Sequence, residues 1–180
     1  MRIISGLLGG RRIEPPANMP YTRPTTDIAK SGLFNILSNQ FDFTGLQTLD
    51  LFGGTGAISY ELASRGATDL TIVEKDPKMA DFIQKTAAGL EITGLKLQRM
   101  DVFQFLSYPS GPYDFIFAGP PYALGNIDDL PRIVATPAFL KEEGVFVLEH
   151  TPRNSYKTFP LFRSERAYGT TVFSFFINRS

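Results

Sequence analysis

From residue 47 onward the chain alternates short apolar runs with segments of helical spacing, and this rhythm restricts the fold more than any other feature. Residues 48–52 (TLDLF), 69–73 (DLTIV), 96–100 (KLQRM), 114–118 (DFIFA) and 144–149 (GVFVLE) read as strands. Helical segments are expected over residues 58–64 and 78–90, with another inside 129–139, where Pro131 and Pro137 bound it tightly. Strands separated by helices pair in parallel through right-handed crossovers, which predicts an α/β, doubly wound, mostly parallel sheet. Residues 171–177 (TVFSFFI) alternate in a period of two and read as an edge or antiparallel strand. Ahead of the first strand, residues 2–5 and 10–13 flank a glycine-containing turn, a hairpin pattern. A proline-rich stretch follows, then a helix opening at Thr25-Thr26-Asp27 with apolar positions at Ile28, Leu33, Ile36 and Leu37. The reading is one domain over residues 1–180, with a hairpin extension at 1–26 and a core at 27–180.

Length agrees, since 180 residues suffice for one well-buried domain and are short for two. No apolar run approaches the ~20 residues of a membrane helix, and the N-terminus lacks the apolar core of a secretory signal. The absence of cysteine excludes disulfides, thiolate-ligated zinc and thiol catalysis, and accords with a reducing cytoplasm. A single histidine, His150, leaves no histidine cluster for a metal. The net charge of zero conceals a segregation. Arg2, Arg11, Arg12, Arg23 and Lys30 outweigh Glu14 and Asp27 at one end, while Arg153, Lys157, Arg163, Arg166 and Arg179 outweigh Glu165 at the other. Basic ends on an acidic body suit a polyanion if they meet in space; solvated tails are the plainer reading.

The first strand ends in glycines: Asp50-Leu51-Phe52-Gly53-Gly54-Thr55-Gly56. Such a loop lets the backbone approach a ligand, but it is not specific by itself. A dinucleotide fingerprint needs a third glycine where Ser59 stands, and a P-loop needs a lysine where Ala57 follows Gly56. Asp50 lies three residues before the first glycine, poorly placed for a pyrophosphate and suited to a ligand with an ammonium and a sulfonium. Glu74 ends the second strand, where a carboxylate accepts both hydroxyls of a ribose. Asp101 ends the third, placed for an adenine amino group. Singly, each acid reads equally as a solvated strand end or a helix N-cap. Together with the glycine loop they favour S-adenosylmethionine over NAD or ATP.

The fourth strand stops at Gly119-Pro120-Pro121-Tyr122. Two prolines cannot extend a hydrogen-bond ladder, so the chain enters a stiff loop at the edge where open α/β sheets keep their ligands. Taken alone, the loop reads as a rigid turn packing a ring.

The chain resembles the RsmD-like family, class I S-adenosylmethionine-dependent methyltransferases that act on a guanine N2 of small-subunit (16S) ribosomal RNA. The resemblance is carried by "MRIISG…GGRRI", "TRPTTD", "GLFNIL", "LDLFGGTGAISYELASRGA", "VEKD", "DVFQFL", "PPY", "VLEH" and "YGTTVFSFF", over essentially the whole length. It implies a seven-stranded Rossmann-like sheet with an N-terminal β-hairpin that grips RNA, and a cytoplasmic, monomeric enzyme without metal. Its partner would be small-subunit rRNA or the assembling small subunit. It places the cofactor on Asp50, Phe52, Gly53, Gly54, Thr55, Gly56, Glu74, Lys75, Asp101 and Val102, with RNA on Arg11, Arg12, Arg23 and Thr25. The catalytic loop becomes Gly119, Pro120, Pro121 and Tyr122, the Pro120 carbonyl accepting from the target amine and the Tyr122 ring stacking on the base. Position 119 departs from the family, which carries Asp or Asn there. Three readings follow: slow transfer, a cofactor pocket retained by a non-catalytic RNA-binding or assembly protein, or a substitution in an ordinary enzyme. Pro-Pro-aromatic loops also serve adenine-N6 methyltransferases, a rival disfavoured by the N-terminal block.

Overall fold

In the computed structural model, which describes residues 1–18 and 24–179, seven strands form one sheet in the order β3-β2-β1-β4-β5-β7-β6. The chain runs α1 (Asp27–Ser38), β1 (Gln47–Leu51), α2 (Ala57–Ser64), β2 (Asp69–Val73), α3 (Pro77–Gly89), β3 (Leu95–Gln98) and α4 (Val102–Leu106). It continues with β4 (Tyr113–Ala118), α5 (Asp129–Val134), β5 (Leu140–His150), β6 (Phe162–Tyr168) and β7 (Thr171–Ile177). The pairs from β3 to β5 are parallel. The sheet is nonetheless mixed, because β7 pairs antiparallel with both β5 and β6.

Period-two alternation assigns the two cores. Phe115 and Phe117 of β4 face Leu33, Phe34 and Leu37 of α1 and Ile58 and Leu62 of α2. Ile116 and Ala118 face the opposite layer, where α4, α5 and Tyr156 pack. Residues 151–161, between β5 and β6, contain no helix; Tyr156 takes a helix's place, fully buried and edge-on to Phe159 and His150. The buried stripe of α1 is Ala29, Leu33, Phe34 and Leu37. The expected Ile28 is 77% exposed. Thr26 caps this helix by accepting from Ala29 N at 3.2 Å. Asp76 and Asp101 cap α3 and α4, and Pro77 occupies the first turn of α3, where its missing N–H costs nothing.

The N-terminal extension closes as a short hairpin: Ile3 N donates to the Arg11 carbonyl, Gly10 N to the Ile3 carbonyl and Ile13 N to the Met1 carbonyl, with Arg2 and Arg12 bridged antiparallel. Further amides dock it on α2: Ile4 N and Ser5 N donate to the two oxygens of Glu61, at 2.8 and 3.1 Å. Leu7 N reaches the Ser64 carbonyl and Leu8 N its hydroxyl. Ile3 and Ile13 pack on Tyr60, seating the extension on α2.

His150 ends β5 fully buried. Its Nδ1 faces the Thr151 carbonyl at 2.8 Å and so carries the proton, while Nε2 accepts from Ser174 Oγ at 2.7 Å. Burial depresses its pKa below the usual histidine value, against smaller opposing contributions from the Thr151 carbonyl, Glu165 and Asp128. Above a pH of about 6.5 the ring is neutral in folded and unfolded chains alike. Below that value the unfolded chain takes up the proton first, so stability falls as pH drops toward the depressed folded value. Urea midpoints should therefore decline between pH 7.5 and 5.5, and His150→Gln should flatten part of that decline. An unchanged slope in the variant would contradict this role.

Candidate active site

The sheet reverses direction of growth at β1: β2 and β3 extend it one way, β4 and β5 the other. Open α/β sheets form their ligand crevice at this point, beyond the carboxyl ends of the strands. Here the strand ends lie level, Leu51 beside Val73 and Ala118, and Ala118 beside Leu148. The loops leaving β1, β2 and β4 open on one cavity of about 640 Å³, which Glu149 near the end of β5 also lines.

The glycine loop forms its floor. Phe52, a bulky residue at φ 61°, and Gly54 at φ 58° both take the left-handed conformation. Such a value on an aromatic residue marks a strained backbone held in place by its surroundings. Gly56 starts α2 at φ 83°, and a Cβ there would lie 2.4 Å from the Tyr60 ring. Asp50 is buried under the loop, its Oδ2 accepting from Ser59 Oγ at 2.9 Å. Burial raises its carboxyl well above the usual range; the Ser59 hydroxyl opposes that rise and Glu74 adds to it. Glu74 holds the loop from the side, its two oxygens accepting from Gly54 N and Asp76 N, each at 2.8 Å. Asp101 caps α4 through Oδ1, which accepts from Phe103 N and Gln104 N. The N-cap reading is thus realised for Asp101, and it leaves Oδ2 outside the cap.

Of the ten residues expected at the cofactor, nine line the cavity: Asp50, Phe52, Gly53, Gly54, Thr55, Glu74, Lys75, Asp101 and Val102. Gly56 stands behind the loop instead, as the N-cap of α2. The opposite wall is the loop after β4, with Gly119, Pro120, Pro121 and Tyr122 all facing the same space. The Pro121 carbonyl closes the turn by accepting from Leu124 N at 2.9 Å. Thr25 also reaches the cavity, and its hydroxyl donates to Glu149 Oε1 at 2.7 Å. Asp27, in the first turn of α1, lies 3.4 Å from Arg2. Arg11 and Arg12 sit exposed on the extension and do not line the cavity. Arg23 lies outside the described residues.

Glu149 escaped the sequence reading. It stands near the end of β5, buried, with Oε2 accepting from the Tyr122 hydroxyl at 2.9 Å. The signal was an acid at a strand end, the same one that marks Asp50, Glu74 and Asp101. In "VFVLEH" it was hidden at the end of a continuous apolar run.

Sheet order, glycine loop and strand-end acids around one crevice define a class I methyltransferase fold. The chain belongs to the RsmD family: the family model described as "Conserved hypothetical protein 95" matches residues 1–177. Among relatives, ribosomal RNA small subunit methyltransferase D of Escherichia coli K12 is 29% identical over 160 residues, covering 89% of this chain and 79% of its own. A hypothetical protein of Thermus thermophilus superposes with a TM-score of 0.85 at 25% identity, over 98% of each chain. The 16S rRNA N2 methyltransferase RsmC of T. thermophilus, solved with AdoMet and guanosine, superposes with a TM-score of 0.68 at 26% identity. That match covers 86% of this chain and 44% of RsmC.

Proposed function

We propose that this chain transfers a methyl group from S-adenosylmethionine to the exocyclic N2 of a guanine in small-subunit rRNA, in the cytoplasm. One observation carries the reading: the strand-end acids and the Pro-Pro-Tyr loop, far apart in sequence, face each other across a single cavity. Family membership supports it independently.

The residues present fit the cofactor. A buried carboxylate at Asp50 matches an ammonium, and the bent backbone at Phe52 and Gly54 leaves the floor of the cavity open. Glu74 would accept from the ribose hydroxyls, Asp101 Oδ2 from the adenine amine, and the Val102 N–H, at the first turn of α4, would face the ring. Lys75 and Thr55 complete the rim. When bound, S-adenosylmethionine supplies a methyl group activated on a sulfonium. Displacement at that carbon needs alignment more than acid–base machinery. Pro120 would offer its carbonyl to the guanine amine and Tyr122 its ring to the base. Arg11, Arg12 and Arg23 would contact phosphates, which set affinity and register but no sequence choice.

Tyr122→Ala should lose the stacking platform, about 1–3 kcal/mol per stacked base. The expected result is a higher KM for RNA with S-adenosylmethionine affinity intact; an unchanged KM would remove Tyr122 from the base site. The function itself is tested by incubating the protein with labelled S-adenosylmethionine and small subunits lacking the modification. Label in 16S rRNA supports the reading. Tight cofactor binding with unlabelled RNA would favour a non-catalytic binding protein.

A further inference from the structure

An amine conjugated to a purine ring attacks only when acceptors hold its N–H bonds, and the loop after β4 offers backbone carbonyls but no acid at its head, where Gly119 stands. We infer that the Glu149 carboxylate is the acceptor that meets the target guanine amine, a catalytic role taken over from the neighbouring strand. The inference rests on the proposed function above.

Five carboxylates line the cavity among the described residues: Asp50, Glu74, Asp76, Asp101 and Glu149. Four belong to the cofactor half. Asp50 lies under the glycine loop, Glu74 pins that loop, and Asp76 and Asp101 cap helices. Glu149 is the one on the side of the Pro-Pro-Tyr loop. The pairing of Ala118 with Leu148 sets Gly119 beside Glu149 at the sheet edge. A Cβ built on Gly119 would lie 3.8 Å from Glu149 Oε1, so this carboxylate reaches the ground that a longer residue at 119 would cover. Its Oε2 accepts from Tyr122, so the group that would meet the amine also orients the ring that would stack on the base. Thr25 holds the other oxygen. These two bonds fix the carboxylate beside the loop.

The step balances without a further reagent. As the amine nitrogen bonds the methyl carbon, the carbon–sulfur bond breaks with its pair going to sulfur. The surplus proton on nitrogen leaves along the hydrogen bond to Glu149 and on to water.

Single-turnover transfer to small subunits lacking the modification tests the role with four proteins: the wild type, Glu149→Gln, Tyr122→Phe and Glu149→Gln combined with Gly119→Asp. Glu149→Gln should lower the rate constant on the order of 10²-fold, the scale of a lost preorganised polar group. Calorimetric affinity for S-adenosylmethionine and the unfolding midpoint should hold. Tyr122→Phe keeps the ring and should lose far less. The double variant should recover much of the loss, because an acid at 119 then no longer stands against the Glu149 carboxylate. Near-wild-type transfer by Glu149→Gln, equal losses in Glu149→Gln and Tyr122→Phe, or no recovery in a folded double variant would each overturn the inference. Should the wild type itself transfer nothing, the functional reading fails separately. Guanosine titrated against amide shifts, with S-adenosylhomocysteine present, still decides on Glu149. Weaker binding by Glu149→Gln supports the role, and equal binding overturns it.

Discussion

Glu61→Ala should lower the free energy of unfolding by about 3–5 kcal/mol, the usual cost of stranding one member of a buried ion pair. Glu61 is fully buried on α2 and gathers four partners from three parts of the chain. Arg65 Nε lies 3.0 Å from Oε2, Lys30 Nζ of α1 lies 3.6 Å from Oε1, and the amides of Ile4 and Ser5 complete the set. Lys30 is itself buried, 2% exposed, and also donates to the Arg2 carbonyl. Burial already lowers its pKa, with Glu61 and Asp27 holding it up. Without Glu61 the ammonium would lose its main support and two backbone donors would lose their acceptors. Lys30→Met removes a charge instead of stranding one, and Glu61 keeps Arg65 and both amides, so a much smaller loss is expected. Urea unfolding of the three proteins, with a common m-value, measures the difference. A loss below about 1 kcal/mol in Glu61→Ala would mean that the network is solvated and that the extension is held by its apolar contacts alone.

Asp50→Asn should stabilise the ligand-free protein while crippling its affinity for S-adenosylmethionine. Burial raises the Asp50 carboxyl well above its ordinary value, so in the empty site its charge is a burden. The shift is upward: the folded chain binds the proton more tightly than the unfolded chain, and stability on this account rises as pH falls through the folded value. Asparagine keeps an acceptor for Ser59 and removes the charge. The same charge is what a buried carboxylate offers an ammonium, and losing one member of such a pair costs about 2–5 kcal/mol in binding. At least a ~30-fold rise in Kd follows. Wild-type affinity should also rise with pH as Asp50 ionises. Calorimetry at two pH values, beside urea unfolding, separates the two effects. Equal affinity in both proteins would show that Asp50 supports the loop and does not meet the ligand.

The core strands were legible because each is a short apolar run punctuated by glycine, proline or an acid. The boundaries of β2 and β7 agree with the sequence reading to the residue. Edge strand β6 was not legible: FRSERAY is mostly exposed and carries Arg163, Glu165 and Arg166, so it lacks the alternation that burial on one face imposes. Helix α4 has five residues, too few for a helical period, and its only signal was the capping Asp101. The extension reads as a hairpin because its glycines and basic residues suit a turn. That pairing is present, but the amides of Ile4 and Ser5 answer to Glu61 on α2, and no local pattern announces that. At the site, the reading picked out three of the acids that line the cavity, Asp50, Glu74 and Asp101, from their place at strand ends, yet passed over Glu149. There the buried stretch of β5 runs on past the apolar residues through Glu149 to His150, with β7 paired along its other edge.

The most direct test of the proposed activity is to digest small-subunit rRNA after a single turnover with labelled S-adenosylmethionine and identify the methylated nucleoside by mass spectrometry. N2-methylguanosine is the expected product, with label absent when the cofactor pocket is disabled by Asp50→Asn. Label on the N6 of adenine, or on no nucleoside despite tight cofactor binding, would contradict it.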